Sequence, residues 1–98
     1  MTIKELCELS HLTATEKGFW EKERNDGELI ALMHSELSEA LEVMRSKRKT
    51  KSTVGEELAD CVIRIADFCE ARNINLEKEI FNKTQYNKTR SKKHGKKF

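Results

Sequence analysis

Residues 34–60 read HSELSEALEVMRSKRKTKSTVGEELAD and carry two matching acid pairs, Glu36-x-x-Glu39 and Glu57-x-x-Asp60. Both pairs lie inside segments whose apolar residues recur at helical spacing. Residues three apart on a helix share a side, one turn apart, so each pair aims two carboxylates the same way. Two such helices packed face to face bring four carboxylates together. That many unneutralised acids repel, and the arrangement persists only with something cationic among them. An all-oxygen ligand set of this kind suits Mg²⁺, with Mn²⁺ as the alternative.

Outward from this stretch, the helix carrying the first pair begins at Asn25, with Glu28 completing a capping pattern, and runs to about Arg45. At about 100° per residue, Leu29, Met33, Leu37, Ala40 and Met44 form the centre of its apolar stripe. Ile30 and Leu41 widen one flank, Leu32 and Val43 the other. Glu36 falls between Leu29 and Val43, inside the apolar arc, and Glu39 at its edge beside Leu32. An acid in that sector is costly unless paired or metal-bound. Thr53 and Glu56 read as a further capping box, opening a helix to about Arg72 with Leu58, Val62, Ile65 and Cys69 as its core line and Val54, Cys61 and Ala66 alongside. Asp60, Arg64 and Asp67 share a side of it, and taken alone they read as surface ion pairs. The basic connection Ser46–Ser52 reads as a solvated loop, with a phosphate-meeting lid as the alternative.

Thr2 and Glu5 form a capping box for a first helix with Ile3, Leu6, Cys7, Leu9 (or Ser10) and Ala14 as its apolar side, ending near Lys17-Gly18. Phe19-Trp20 follows as an aromatic clamp on the bundle, with Trp20 kept as a substrate contact. Asn75 caps a fourth helix whose Leu76, Ile80 (or Phe81) and Thr84 are expected to face inward. Lys83, Tyr86, Asn87 and Arg90, three to four apart, make one polar stripe on it.

The pattern predicts an all-α fold, a four-helix bundle type, as one domain over residues 1–90 with a basic, flexible tail at 91–98. Zero prolines and four glycines in 98 residues suit long helices with short loops. With 37% hydrophobic and 37% charged residues the monomer core is thin, so the bundle is expected to be completed by a partner copy, as a homodimer or homotetramer. Residues 1–82 hold twelve Lys/Arg against all seventeen acids, a net of −5, while residues 83–98 hold seven Lys/Arg and no acid. Cys7, Cys61 and Cys69 show no zinc spacing and read as packing residues in a reducing compartment. No stretch reads as a signal peptide or as a span, so a cytoplasmic protein without membrane contact is expected.

Beyond the acids, the stretches His34–Ala40 and Glu56–Asp60 and the ending Lys83-x-x-Tyr86-Asn87-x-x-Arg90 through His94-Gly95-Lys96 resemble the MazG-like, all-α nucleoside triphosphate pyrophosphohydrolases. The resemblance covers roughly residues 19–98 and is to the short stand-alone members. It departs at Ser91, where members often have Pro, and at Asp67, where many have Asn. It implies hydrolysis of the α–β phosphoanhydride of (d)NTPs to (d)NMP and pyrophosphate, in nucleotide-pool housecleaning. It also implies that Glu36, Glu39, Glu57 and Asp60 hold Mg²⁺ and do the catalytic work, and that Lys83, Asn87 and Arg90, with Tyr86 and Lys97, contact the polyphosphate. Trp20 and His34 are candidates for the base side, although His34 lies off the metal side of its helix.

Two alternatives compete. One is a dedicated pyrophosphohydrolase for phosphoribosyl-ATP, dUTP or dCTP. The other is a non-enzymatic helical dimer whose basic tail binds nucleic acid. The tail's lack of interleaved aromatics and the acidic body disfavour nucleic acid as a partner.

Overall fold

The computed structural model of the chain describes residues 1–90; the basic tail and Lys97 lie outside the described residues. Four helices follow one another: α1 (Ile3–Glu16), α2 (Asp26–Arg45), α3 (Val54–Ala71) and α4 (Leu76–Thr89), with no strand among the described residues.

Local chemistry accounts for the helix ends. The Thr2 hydroxyl accepts from the Glu5 amide at 3.0 Å while the Glu5 carboxylate accepts from the Thr2 amide at 2.8 Å, a complete capping box. Asn25, Thr53 and Asn75 each accept from the amide three residues on. The box expected at Asn25 is only half made, because the Glu28 side chain reaches Arg24 instead (3.5 Å). At Thr53 the reciprocal Glu56 contact is likewise missing. Both α1 and α3 stop in a Schellman turn. Gly18 takes φ +84° after α1, with Phe19 N–H donating to Ala14 O at 3.0 Å; Asn73 takes φ +58° after α3, with Ile74 N–H donating to Cys69 O at 2.8 Å.

The central element is α3, packed against α1 on one side and α2 on the other, whereas α4 makes a smaller contact with α1. Small side chains fill the closest approaches: Ala66 is fully buried, and Cys7, Ser10, Ala40, Cys61 and Cys69 are buried with it. The cysteines are free thiols, and burial foremost pushes those of Cys7 and Cys69 up, away from the reactive thiolate. Among the described residues no helix is long and apolar enough to cross a membrane.

The structure corrects the expected core in three places. On α2 the buried line runs through Leu29, Glu36 and Ala40 with Leu32, Met33 and Val43 half-buried, while Ile30, Leu37, Leu41 and Met44 stay exposed. On α3, which is flanked by two helices, Glu57, Cys61, Ala66, Asp67 and the expected Cys69 are buried at positions spread around the helix, and Leu58 and Val62 are exposed. On α2 the apolar arc is wider than α3 covers, and the covered flank is the one nearer Glu36. On α4 nothing is buried: Leu76 is half-buried, and Ile80, Phe81 and Thr84 are exposed, because this helix touches only α1 to any extent. In α1 the choice between Leu9 and Ser10 falls to Ser10.

The aromatic clamp is formed. The Trp20 indole N–H donates to Asp67 at 2.9 Å and 3.2 Å, and its ring meets His11 and Phe19 edge-on at 5.5 and 5.4 Å. Asp67 also pairs with His11 Nδ1 at 2.8 Å. The loop after α1 is thereby tied to the far half of α3.

Candidate metal centre

Glu36 and Glu39 on α2 and Glu57 on α3 each bring a carboxylate oxygen to within 4.8 Å of the others. Helical spacing makes the first two neighbours, and the α2–α3 packing adds the third. Glu36 and Glu57 are each only 7% exposed, and Glu39 is exposed at the mouth. Asp60 stands outside this group, exposed one turn along α3, where it lines a cavity together with Glu36. Two helices thus bring together three of the four acids.

The group is electrostatically strained as it stands. Glu39 is pushed above the ordinary glutamate value of 4.5, first by sharing a proton with Glu57 and then by the charges of Glu36 and Glu57. Glu57 is held below it, first by the Ser52 hydroxyl at the head of α3 and then by Glu39. No N–H or alcohol hydroxyl reaches the buried Oε2 of Glu57. Such an orphaned acceptor costs stability unless a cation takes it. The oxygens around an octahedral Mg²⁺ lie about 3 to 4.2 Å apart, given bonds of about 2.1 Å. Three carboxylate oxygens within 4.8 Å of one another close to that spread with a small side-chain movement, and the all-oxygen set with its orphaned acceptor is of the kind a hard divalent ion takes.

Arg64 supplies part of the missing charge. Its Nε–H donates to Glu36 Oε1 at 2.7 Å, with the Glu36 side chain 10% exposed and that of Arg64 36%. The ion pair expected along α3 between Arg64 and Asp60 is replaced by this cross-helix one, which gives the buried Glu36 a partner while Asp60 stays exposed. Three glutamates and one arginine carry a formal −2 when all are ionised, the charge one divalent ion cancels. Beside them opens a cavity of about 860 Å³ between α1 and α3, lined by Leu6, Leu9, Phe19 and Ile63 and by the charged Asp60 and Arg64.

The other sequence candidates lie elsewhere. Lys83, Tyr86 and Asn87 are exposed on α4 and Arg90 is half-buried; Lys83 Nζ and Arg90 Cζ sit 4.8 and 5.2 Å from the Tyr86 ring centre, so the stripe is one unit. His34 is exposed on α2, and Trp20 is engaged by Asp67. Sequence reading passed over His11, whose partner is 56 residues away; the unusual Asp67, on the polar side of α3, was the signal that could have led to it.

No known family, curated protein or solved structure matches this chain. Its chemistry is therefore read from the residues themselves.

The linked titration has a measurable consequence. Because Glu39 binds its proton more tightly in the folded protein, its contribution to metal-free stability is present below pH 4.5 and is lost as pH rises through its raised value. Glu57, lowered, contributes in the opposite sense, losing stability as pH falls through its depressed value. A divalent ion needs both carboxylates ionised. The rise in melting temperature produced by Mg²⁺ is therefore expected to be largest at pH 7 to 8 and to shrink as the medium is brought toward pH 4.5, the ordinary glutamate value. A Mg²⁺ effect independent of pH would contradict the assignment.

Proposed function

We propose that this protein is a Mg²⁺-dependent nucleoside triphosphate pyrophosphohydrolase, cleaving the α–β phosphoanhydride of (d)NTPs to (d)NMP and pyrophosphate, of the MazG-like type that its sequence resembles. The observation that carries this reading is the Glu36–Glu39–Glu57 group with its orphaned, buried Glu57 oxygen. Phosphoryl transfer is mostly positioning and charge neutralisation, which is what an anionic pocket loaded with a cation provides. When bound, the ion supplies positive charge to the phosphates and acidifies a water.

In this reading Glu36, Glu39 and Glu57 hold the ion, and Asp60, next along α3, is placed to join them or to orient the attacking water. The adjoining cavity has the volume of a small-molecule site and an apolar wall for a nucleoside. Lys83, Asn87 and Arg90 lie on α4, away from the three carboxylates, and in this reading the α4 of a partner copy brings them to the polyphosphate. The test is release of pyrophosphate, rather than phosphate, from a panel of NTPs and dNTPs with Mg²⁺. A single dominant substrate in that panel would identify a dedicated enzyme; release of neither product would sink the proposal.

The same reading includes self-association. The apolar stripe Ile30, Leu37, Leu41 and Met44 of α2 and the pair Leu58 and Val62 of α3 are 41–70% exposed, more than a monomer of this size leaves uncovered without a use. The radius of gyration, 16.2 Å, exceeds the roughly 13 Å of a compact chain of this length. A partner copy covering these stripes would complete the bundle. In sedimentation the chain is expected to run at a multiple of 11.4 kDa, and Leu37→Glu with Leu41→Glu to run as a monomer. A wild-type monomer at high micromolar concentration would refute this part.

A further inference from the structure

We infer that Arg64 is the internal counter-ion of the carboxylate group, displaced from Glu36 when a divalent cation binds and thereby released to hold an anionic group in the adjoining cavity. The inference rests on the metal-dependent reading above and adds to it a residue that the acid pairs do not include.

The geometry supports each half. Arg64 Nε–H is bonded to Glu36 Oε1 at 2.7 Å, and Glu36 is a member of the three-carboxylate group. An ion shared by those three oxygens must draw on Glu36, so it competes with the guanidinium for the same carboxylate. A doubly charged ion a few ångströms from a guanidinium also repels it. The site nevertheless calls for a cation beyond Arg64, because the buried Glu57 Oε2 has no partner while the Arg64–Glu36 pair is in place.

Arg64 is free to leave. Among the described residues its guanidinium makes no other hydrogen bond, and its side chain is 36% exposed. Arg64 lines the same cavity as Glu36 and Asp60, so a released guanidinium has the cavity before it. Its planar fork of donors suits a phosphate or carboxylate. Loading the ion and presenting the anion-binding group thus become one event: without the cation, Arg64 is held by Glu36, and with it, Arg64 faces the ligand.

Three measurements without turnover test this. Calorimetry with Mn²⁺ alone is expected to show Arg64→Gln binding the ion about tenfold more tightly than wild type, since a charged hydrogen bond no longer competes. Arg64→Lys, which keeps the charge on a single ammonium, is expected to fall between them and covers the case in which the glutamine variant does not fold. Inorganic phosphate, titrated in the presence of saturating Mg²⁺, is expected to bind about tenfold more weakly to Arg64→Gln. In wild type, the Arg64 Nε–H resonance is expected to shift and broaden on adding Mg²⁺. Equal or weaker Mn²⁺ affinity in both variants, unchanged phosphate affinity, or an Nε–H signal indifferent to saturating Mg²⁺ overturns the inference while leaving the metal site standing. Absence of Mn²⁺ binding by wild type and variants alike removes the metal site itself, and this inference with it.

Discussion

Replacing Glu57 or Glu36 with Gln is expected to lower the kcat/KM for pyrophosphate release by about 10²-fold or more, the scale at which removing one preorganised charge from a phosphoryl-transfer site is felt. The substitutions keep shape and remove charge. In Glu57→Gln the metal-free fold is expected to melt slightly lower than wild type at pH 7, because the fold favours the ionised Glu57 carboxylate, through Ser52 first. Its melting temperature should also no longer rise with Mg²⁺. Glu42→Gln, on the exposed side of the same helix, is the control and should behave as wild type in both measurements. Full activity in Glu57→Gln would refute the site, and loss of activity with retained Mg²⁺ stabilisation would move the ion elsewhere.

The largest effect on stability is expected at Asp67. Asp67→Ala leaves the Trp20 indole N–H and His11 Nδ1 without their shared acceptor, and opens a cavity where a nearly buried side chain stood. The expected loss is about 3 kcal/mol, or roughly 15 °C in melting temperature for a domain of this size. Asp67→Asn, which keeps one acceptor oxygen, should lose about a third of that. Trp20 is the sole tryptophan, so its emission reports the release of the clamp directly and should move to longer wavelength in Asp67→Ala. Because Asp67 is outside the Glu36–Glu39–Glu57 group, Mn²⁺ affinity is expected to survive in Asp67→Ala. A variant that melts within about 2 °C of wild type would show that the clamp carries little of the stability.

These two residues illustrate what helical spacing conveys and what it omits. Glu36 was legible because an acid sat within an apolar arc, and an exposure of only 7% bears that out. The pairing of Glu36 with Glu39 is likewise a property of one helix. Asp67 was not legible in the same way. Its partners, 47 and 56 residues earlier, are set by how α1 and its following turn lie across α3, and no local pattern encodes that crossing.

The sequence by itself determined the all-α class, the number of helices and their ends, because caps and Schellman turns are decided by side chains within a few residues of each terminus. It also determined which acids could point together. Tertiary structure alone decided which flank of each apolar arc is buried, that Glu57 joins Glu36 and Glu39 while Asp60 stands apart, and that Arg64 reaches across to Glu36. Local preference ends at the width of the arc. Within it, the choice belongs to the neighbouring helix, whose crossing and depth depend on small residues such as Ala66, which is wholly enclosed, and on the burial cost of every charge placed between the helices.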